Sequence, residues 1–257
     1  MKILNVKIDS VTRAEALAAL ESRQLIFTPN PEIILEAESN KRFRRALKKA
    51  SLMIPDGHGL LFVSTLQKIK CKVTRGLLYL PALLLFLIWK RPFRRVLPEV
   101  IHGSDFMKEV VEWAAKRGLS VFFLGAAPGV AQKAAYNFQA AYPNLKLAGF
   151  SSLDPSDKAF EAVKRSGTEV LFVAYGAPKQ EMWLAKYASR LPRLHTAMAV
   201  GGSFDFWSGQ VQRAPKWMRV LGLEWLYRLI LSPRQRIKRI WHALVVFPVT
   251  CLFSSSS

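Results

Sequence analysis

The chain has 257 residues, 51% of them hydrophobic and 22% charged, which excludes a disordered polypeptide and leaves room for one large domain or a domain with an appendage. Its 38 Lys and Arg against 18 Asp and Glu give a formal net charge of +20, so an anionic partner is expected: nucleic acid, an anionic membrane or a phosphorylated substrate. Two cysteines, Cys71 and Cys251, lack metal or CxxC spacing, exclude a disulfide framework and fit a reducing cytoplasm.

The first residues mix Lys and Asp into an apolar start, so no signal peptide is expected. Lys2 to Ile8 alternates like a strand, and Thr12 with Glu15 is spaced as a capping box for a helix from Arg13 to Glu21. Gln24 to Phe27 reads as a short strand and Glu32 to Lys49 as one helix. Ser51 to Ile54 is a buried strand delivering Pro55-Asp-Gly-His-Gly59, and Gly59 to Leu66 is helical. Gly76 to Trp89 is uncharged and flanked by Lys68, Lys70, Lys72 and Arg75 before it and Lys90, Arg91, Arg94 and Arg95 after it. A helix of that length reaches about 21 Å, short of a hydrocarbon core of about 30 Å. Pro81 is expected to break or kink it. This segment is expected to lie in a membrane interface without spanning; the alternative is a buried core helix.

Alternation then resumes. Helices are expected over Gly103–Arg117, Val130–Tyr142, Ser156–Arg165 and from the Gly176–Glu181 loop to Arg190; strands over Ser120–Leu124, Lys146–Phe150, Glu169–Tyr175 and His195–Val200. This predicts an α/β fold: a doubly wound, mostly parallel, Rossmann-like sheet. Near Gln210 the composition turns basic and aromatic. The expected organisation is a core over 1–210, with the apolar insertion at about 68–95, and a helical appendage over 211–257 that ends in a second short apolar run, Ala243 to Phe253.

In such sheets ligands bind beyond the carboxyl ends of the strands. The loops Thr28–Asn30, Asp56–Gly59, Gly125–Gly129, Gly176–Glu181 and Gly201–Asp205 therefore share one rim. Asp56, in an apolar strand-end loop, suits a general base, or is simply the turn aspartate of Pro-Asp-Gly. Thr28 and Asn30 suit sugar hydroxyls, or cap a helix. Gly201 and Gly202 let backbone approach a ligand with free N–H groups, Gly125 begins a turn that resembles a phosphate site, and His58 is placed to touch substrate. Glu181, in a helix's first turn, complements its dipole. No metal-ligand spacing, P-loop, G-x-S-x-G or D-x-D occurs, so neither metal nor cofactor is expected; cations must then stabilise any phosphate leaving group, and the basic appendage holds them.

Thr28-Pro-Asn-Pro31, Pro55-Asp-Gly-His-Gly59, Gly103-Ser-Asp105, Gly176-Ala-Pro-Lys-Gln-Glu181, Gly201-Gly-Ser-Phe-Asp-Phe-Trp-Ser-Gly209, Arg213-Ala-Pro-Lys-Trp-Met218 and Gly222-Leu-Glu-Trp-Leu-Tyr-Arg228 together resemble the WecG/TagA/CpsF glycosyltransferases, family 26, over most of residues 1–240. The resemblance implies an inverting, metal-independent transfer of an N-acetylmannosamine-like sugar from a UDP-sugar to a polyprenyl-diphosphate-linked sugar, at the cytoplasmic face of the bacterial inner membrane. It implies Asp56 as general base, Thr28 and Asn30 near a sugar, Gln180 in the pocket, and appendage arginines closing over it. The substrate-binding set is then Thr28, Asn30, Gly57, His58, Gly125, Gln180, Gly201, Gly202, Asp205, Arg213, Arg228, Arg234, Arg236 and Lys238. The sequence departs from the family where Val100-Ile-His102 replaces Arg-Val-Thr, so that this arginine is missing unless Arg94 or Arg95 substitutes, where later arginine positions fall on Gln235 and Lys238, and in the apolar insertion. Partners expected are the two substrates and an anionic membrane surface, without nucleic acid; the oligomeric state is open, a homo-oligomer included. The rival reading is a non-catalytic basic module binding nucleic acid or anionic lipid.

Overall fold

Successive residues of a strand face opposite sides of a sheet, and this alternation divides the core in two. Phe27, Met53, Phe122, Leu124, Leu171, Val173, Ala197 and Ala199 point into one apolar layer. Their neighbours Ile26, Leu52, Val121, Phe123, Val170, Phe172 and Met198 point into the other. Both faces are covered, which is why these strands read as continuous apolar runs.

The computed structural model describes residues 1–215, 218, 224–231, 233, 237 and 241–253. Among them the strands β1 (Lys2–Ile3), β2 (Val6–Lys7), β3 (Gln24–Phe27), β4 (Leu52–Met53), β5 (Ser120–Gly125), β6 (Lys146–Ser151), β7 (Val170–Ala174) and β8 (Thr196–Ala199) are set. The last six form one parallel sheet in the order β4-β3-β8-β7-β5-β6. Helices α1 (Arg13–Ala18), α6 (Gly103–Arg117), α7 (Val130–Ala141) and α10 (Ser203–Trp207) cover one face. The other is covered by α2 (Pro31–Ser39), α3 (Lys41–Leu47), α4 (His58–Leu66), α8 (Asp157–Ser166) and α9 (Lys179–Tyr187). The doubly wound α/β reading holds.

Several elements differ from expectation. Lys2 to Ile8 is a tight antiparallel hairpin rather than one strand, reversing at Leu4, whose φ is 51°, next to Asn5, a residue suited to turns. Asp9 behind it covers the β4 edge: its N–H donates to Met53 O at 2.9 Å and its Oδ2 accepts from the Met53 N–H at 2.9 Å. The expected helix from Glu32 to Lys49 is two helices, because Asn40 Oδ1 caps α3 by accepting the Phe43 N–H at 2.9 Å. The capping box of Thr12 and Glu15 is present.

The apolar segment is α5 (Lys72–Ile88), a continuous helix with Pro81 inside it, so the expected break does not occur. Its inner face packs: Phe62 of α4 meets Phe86 at 5.3 Å and Phe93 at 5.8 Å between ring centroids, with Phe86 and Phe93 5.0 Å apart. Its outer face does not, with Leu77 75%, Leu84 62% and Ile88 87% exposed. Among the described residues no helix is long and apolar enough to cross a membrane. The second apolar run turns back onto the core: after α11 (Glu224–Leu231), the segment α12 (Phe247–Phe253) buries Phe247, Cys251 and Leu252 among α2, α4 and α5. Arg75, one of the cations flanking the apolar segment, is buried and fastens the C-terminal run by donating Nη1 to Leu252 O at 3.0 Å, and Nε and Nη2 to Ile69 O at 3.0 and 2.7 Å.

Candidate functional site

Parallel strands deliver their carboxyl ends to one rim, and backbone bonds lock the loops there. The Ile54 N–H donates to Phe27 O at 2.9 Å, the Asp56 N–H to Pro29 O at 3.0 Å and the Ile101 N–H to Pro55 O at 3.1 Å. The β3 loop, the β4 loop and the start of α6 are thereby one unit, with Asp56 in the middle. Gly57 has φ 103°, a backbone state open to glycine but strained for other residues, and it turns the chain from Asp56 into α4. Thr28, nearly buried, lies against Gly103, where an added Cβ would come 3.1 Å from Thr28 Oγ1. Asn30 is the helix cap: its Oδ1 accepts the Ile33 N–H at 3.0 Å.

His102 Nδ1 faces Asp56 Oδ1 at 3.4 Å. The His58 ring lies 5.9 Å from the His102 ring, between centroids. Burial, reinforced by the positive charges of Lys90, His102 and Arg94 and opposed by Asp56, pushes the His58 imidazole down to about 4, so it is neutral near pH 7. His58 and His102 help line a cavity of about 310 Å³ with Thr12, Arg94 and Glu99.

On the β7–β8 side the polar groups are already engaged. Gln180 is buried, and its Oε1 accepts the N–H of Gly176 at 3.2 Å and of Gly201 at 3.0 Å. The expectation of a free Gly201 N–H is thus corrected: a side chain underneath the rim takes it. Gln180 Nε2 donates to Glu181 Oε1 at 2.8 Å. Glu181 is not an exposed partner of the helix dipole but fully buried, and burial raises its carboxyl to about 7 against the opposing bond from Gln180. Its Oε2 has no hydrogen-bond partner among the described residues.

The remaining candidates sort by place. An added Cβ at Gly202 would lie 3.2 Å from Asp205 Oδ2, a tight fit, whereas Gly125 combines a φ of 99° with a Cβ position only 2.8 Å from the Tyr175 ring, so backbone and packing both require glycine there. Gly125 also ends β5, four strand spacings or about 19 Å from β4, at the far part of the rim. Arg213 forms a two-pronged ion pair with Asp105 at the start of α6 and lies over the Phe206 ring at 5.6 Å. Arg228 sits on α11 with its side chain outside the described residues; Arg234, Arg236 and Lys238 lie outside them altogether. Among the described residues no three His, Cys, Asp or Glu side chains cluster where they could hold a metal ion.

The glycosyl transferase WecG/TagA/CpsF family pattern matches residues 1–89 and 82–256, almost the entire chain in two pieces that meet within α5. The chain belongs to this family. The N-acetylglucosaminyldiphosphoundecaprenol N-acetyl-beta-D-mannosaminyltransferase of Bacillus subtilis (strain 168) is 32% identical over 211 residues, covering 81% of this chain and 72% of the relative. The enzyme of the same name from Bacillus spizizenii (strain ATCC 23059 / NRRL B-14472 / W23) is 30% identical over 225 residues, covering 87% and 75%. That from Staphylococcus aureus (strain NCTC 8325 / PS 47) is 27% identical over 251 residues, covering 93% and 88%. The protein is therefore a glycosyltransferase, which decides against the non-catalytic basic module.

Neither His102 nor Arg94 belongs to the expected substrate-binding set, yet both line the cavity beside Asp56. His102 enters the sequence reading only as the last residue of Val100-Ile-His102, a departure from the family pattern just before Gly103-Ser-Asp105. Arg94 reads as one of four flanking cations and, with Arg95, as the alternative source of the arginine that Arg-Val-Thr supplies in the family. The turn Arg91–Arg95 aims Arg94 at the cavity because Phe93 is anchored in the aromatic cluster and Thr65 Oγ1 donates to Phe93 O at 3.0 Å. Arg95 is exposed.

Proposed function

We propose that this enzyme transfers an N-acetylmannosamine-like sugar, with inversion, from a UDP-sugar to a polyprenyl-diphosphate-linked N-acetylglucosamine during cell-surface polysaccharide synthesis. Its relatives, N-acetylmannosaminyltransferases by name, supply the sugar and the acceptor class. The observation that carries the mechanism is Asp56, held at the junction of three locked loops on the rim and faced by His102.

The acceptor hydroxyl attacks the anomeric carbon from the side opposite the leaving group. Its proton passes to the Asp56 carboxylate, the carbon–oxygen bond to the diphosphate breaks, and UDP departs with the electron pair. A carboxylate in position for that proton contributes about 10²–10⁴-fold. Charge on the departing diphosphate is met by arginines of the appendage rather than by a metal ion. His102 orients Asp56, and Gln180 fixes the Gly176 and Gly201 turns so that the rim keeps its shape.

The same proposal places the enzyme at the cytoplasmic face of the membrane, with the outer face of α5 in the interface. Support comes from the exposed Val73, Leu77, Leu80, Leu84 and Ile88, spaced along one side of the helix, and from the cations on both flanks. The test is a UDP-sugar panel offered to the purified chain with a short-chain N-acetylglucosaminyl diphosphate lipid. UDP-N-acetylmannosamine is expected to give a disaccharide lipid in the presence of EDTA. Release of UDP without a disaccharide product, or turnover that needs added Mg²⁺ or Mn²⁺, would contradict it.

A further inference from the structure

The cavity beside Asp56 is a second feature of the rim, and the family comparison assigns it nothing. Its wall joins three parts of the chain: His58 at the start of α4, His102 before α6, and Arg94 on the turn that follows α5. Granted the polyprenyl-diphosphate acceptor proposed above, we infer that this cavity holds the acceptor's diphosphate, gripped by Arg94 and His58 while the sugar hydroxyl reaches Asp56.

Connectivity is the first argument. His102 meets Asp56 at 3.4 Å, His102 and His58 line the cavity together with Arg94, and Arg94 stands on the turn that directly follows the exposed Ile88 and Trp89 at the α5 end. A lipid-linked sugar presents the same order: reacting hydroxyl, sugar, diphosphate, hydrocarbon chain. Volume agrees, since about 310 Å³ is at the lower end of small-molecule sites and suits a headgroup rather than a whole lipid.

Charge is the second argument. Arginine's planar fork matches phosphate oxygens, and among the described residues no carboxylate lies within ion-pair distance of Arg94. The carboxylate in the wall, Glu99, is engaged elsewhere: it accepts the Arg13 N–H at 2.9 Å and lies 3.5 Å from Arg13 Nε. Helix α4 begins at His58 without a capping side chain, adding the positive end of its dipole. Burial and the nearby Arg94 also lower Lys90. Positive groups gathered against one another in this way are stabilised when an anion enters.

The experiment uses the full chain and two readouts. First, binding of inorganic pyrophosphate is measured by calorimetry with saturating UDP, which fills the donor site. Wild type is expected to bind, Arg94→Ala to bind at least 10-fold more weakly, and Arg94→Lys to recover part of the loss. Second, the acceptor KM is compared for N-acetylglucosaminyl diphosphate lipid and for a neutral alkyl N-acetylglucosaminide. Arg94→Ala should raise only the first, about 10- to 100-fold, with the UDP-sugar KM within about twofold of wild type. Absence of pyrophosphate binding by the UDP-loaded wild type, equal effects of Arg94→Ala on both acceptors, or a rise in the donor KM alone would each overturn the assignment; the last would give the cavity to the donor's diphosphate. A wild type that binds pyrophosphate through Arg94 yet transfers to neither acceptor would support the cavity and count against the proposed reaction.

Discussion

His102 Nδ1 lies 3.4 Å from Asp56 Oδ1, across the seam where the Ile101 N–H bonds Pro55 O. The contact is longer than a good hydrogen bond, as such contacts often are before substrate tightens a site. On the proposed mechanism His102 serves turnover by orienting Asp56. His102→Ala is therefore expected to lower kcat about 10-fold with little change in either KM, and His102→Asn, which keeps an N–H donor, to recover much of it. A loss of the same size in both variants would show a packing role instead.

Gln180 gives a second expectation. Alanine at 180 strands two backbone N–H groups, at Gly176 and Gly201, and removes the donor to Glu181. Each buried group left unpaired costs about 1–3 kcal/mol. Gln180→Ala should lower the denaturant midpoint, speed amide exchange at Gly176 and Gly201, and reduce turnover. Unchanged exchange at both amides would disprove the link between the loops.

Much of this was legible in the sequence, for physical reasons. Strands buried on both faces are apolar runs bounded by Gly, Pro or Asp, and the rule that ligands gather at strand carboxyl ends placed Thr28, Asp56, Gln180 and Gly201 on one rim. Local signals misled where tertiary contacts decide. Asn40 reads as one polar residue in a long helix until its side chain is seen capping α3. Arg75 and Glu181 read as surface charges because nothing local shows the carbonyls of Ile69 and Leu252, or the Gln180 amide, that receive them. His102 and Arg94 stand 46 and 38 residues after Asp56, and only the packing of α4, α5 and α6 brings them to it.

Two buried groups set opposing pH dependences of stability. Glu181 has its carboxyl raised from 4.5 to about 7, so the folded state holds the extra proton and stability falls as pH rises through 4.5–7. His58 is lowered from 6.5 to about 4, so the unfolded state holds the extra proton and stability rises with pH over 4–6.5. Glu181→Gln should therefore leave a steeper gain of stability between pH 4 and 6.5, and His58→Gln a steeper loss between pH 4.5 and 7. Chemical denaturation across pH 4–8 checks both, and parallel curves for the two variants would refute the pair of assignments.

Exposed apolar side chains on α5 carry the membrane proposal. Burying a Leu or Ile side chain is worth about 1.5–3 kcal/mol. Replacing Leu77, Leu84 and Ile88 together by Ser should weaken sedimentation with anionic phospholipid vesicles about 100-fold or more, while thermal stability holds because these side chains already face outward. Undiminished vesicle binding would move the contact to another surface.

The locked rim and, through His102, the cavity meet at Asp56. Asp56→Asn, purified beside wild type and matched to it in thermal unfolding, should lose about 10²–10⁴-fold in transfer from UDP-N-acetylmannosamine to an N-acetylglucosaminyl diphosphate lipid, with both KM values nearly unchanged. A folded Asp56→Asn variant that transfers the sugar at the wild-type rate would contradict the account at its centre.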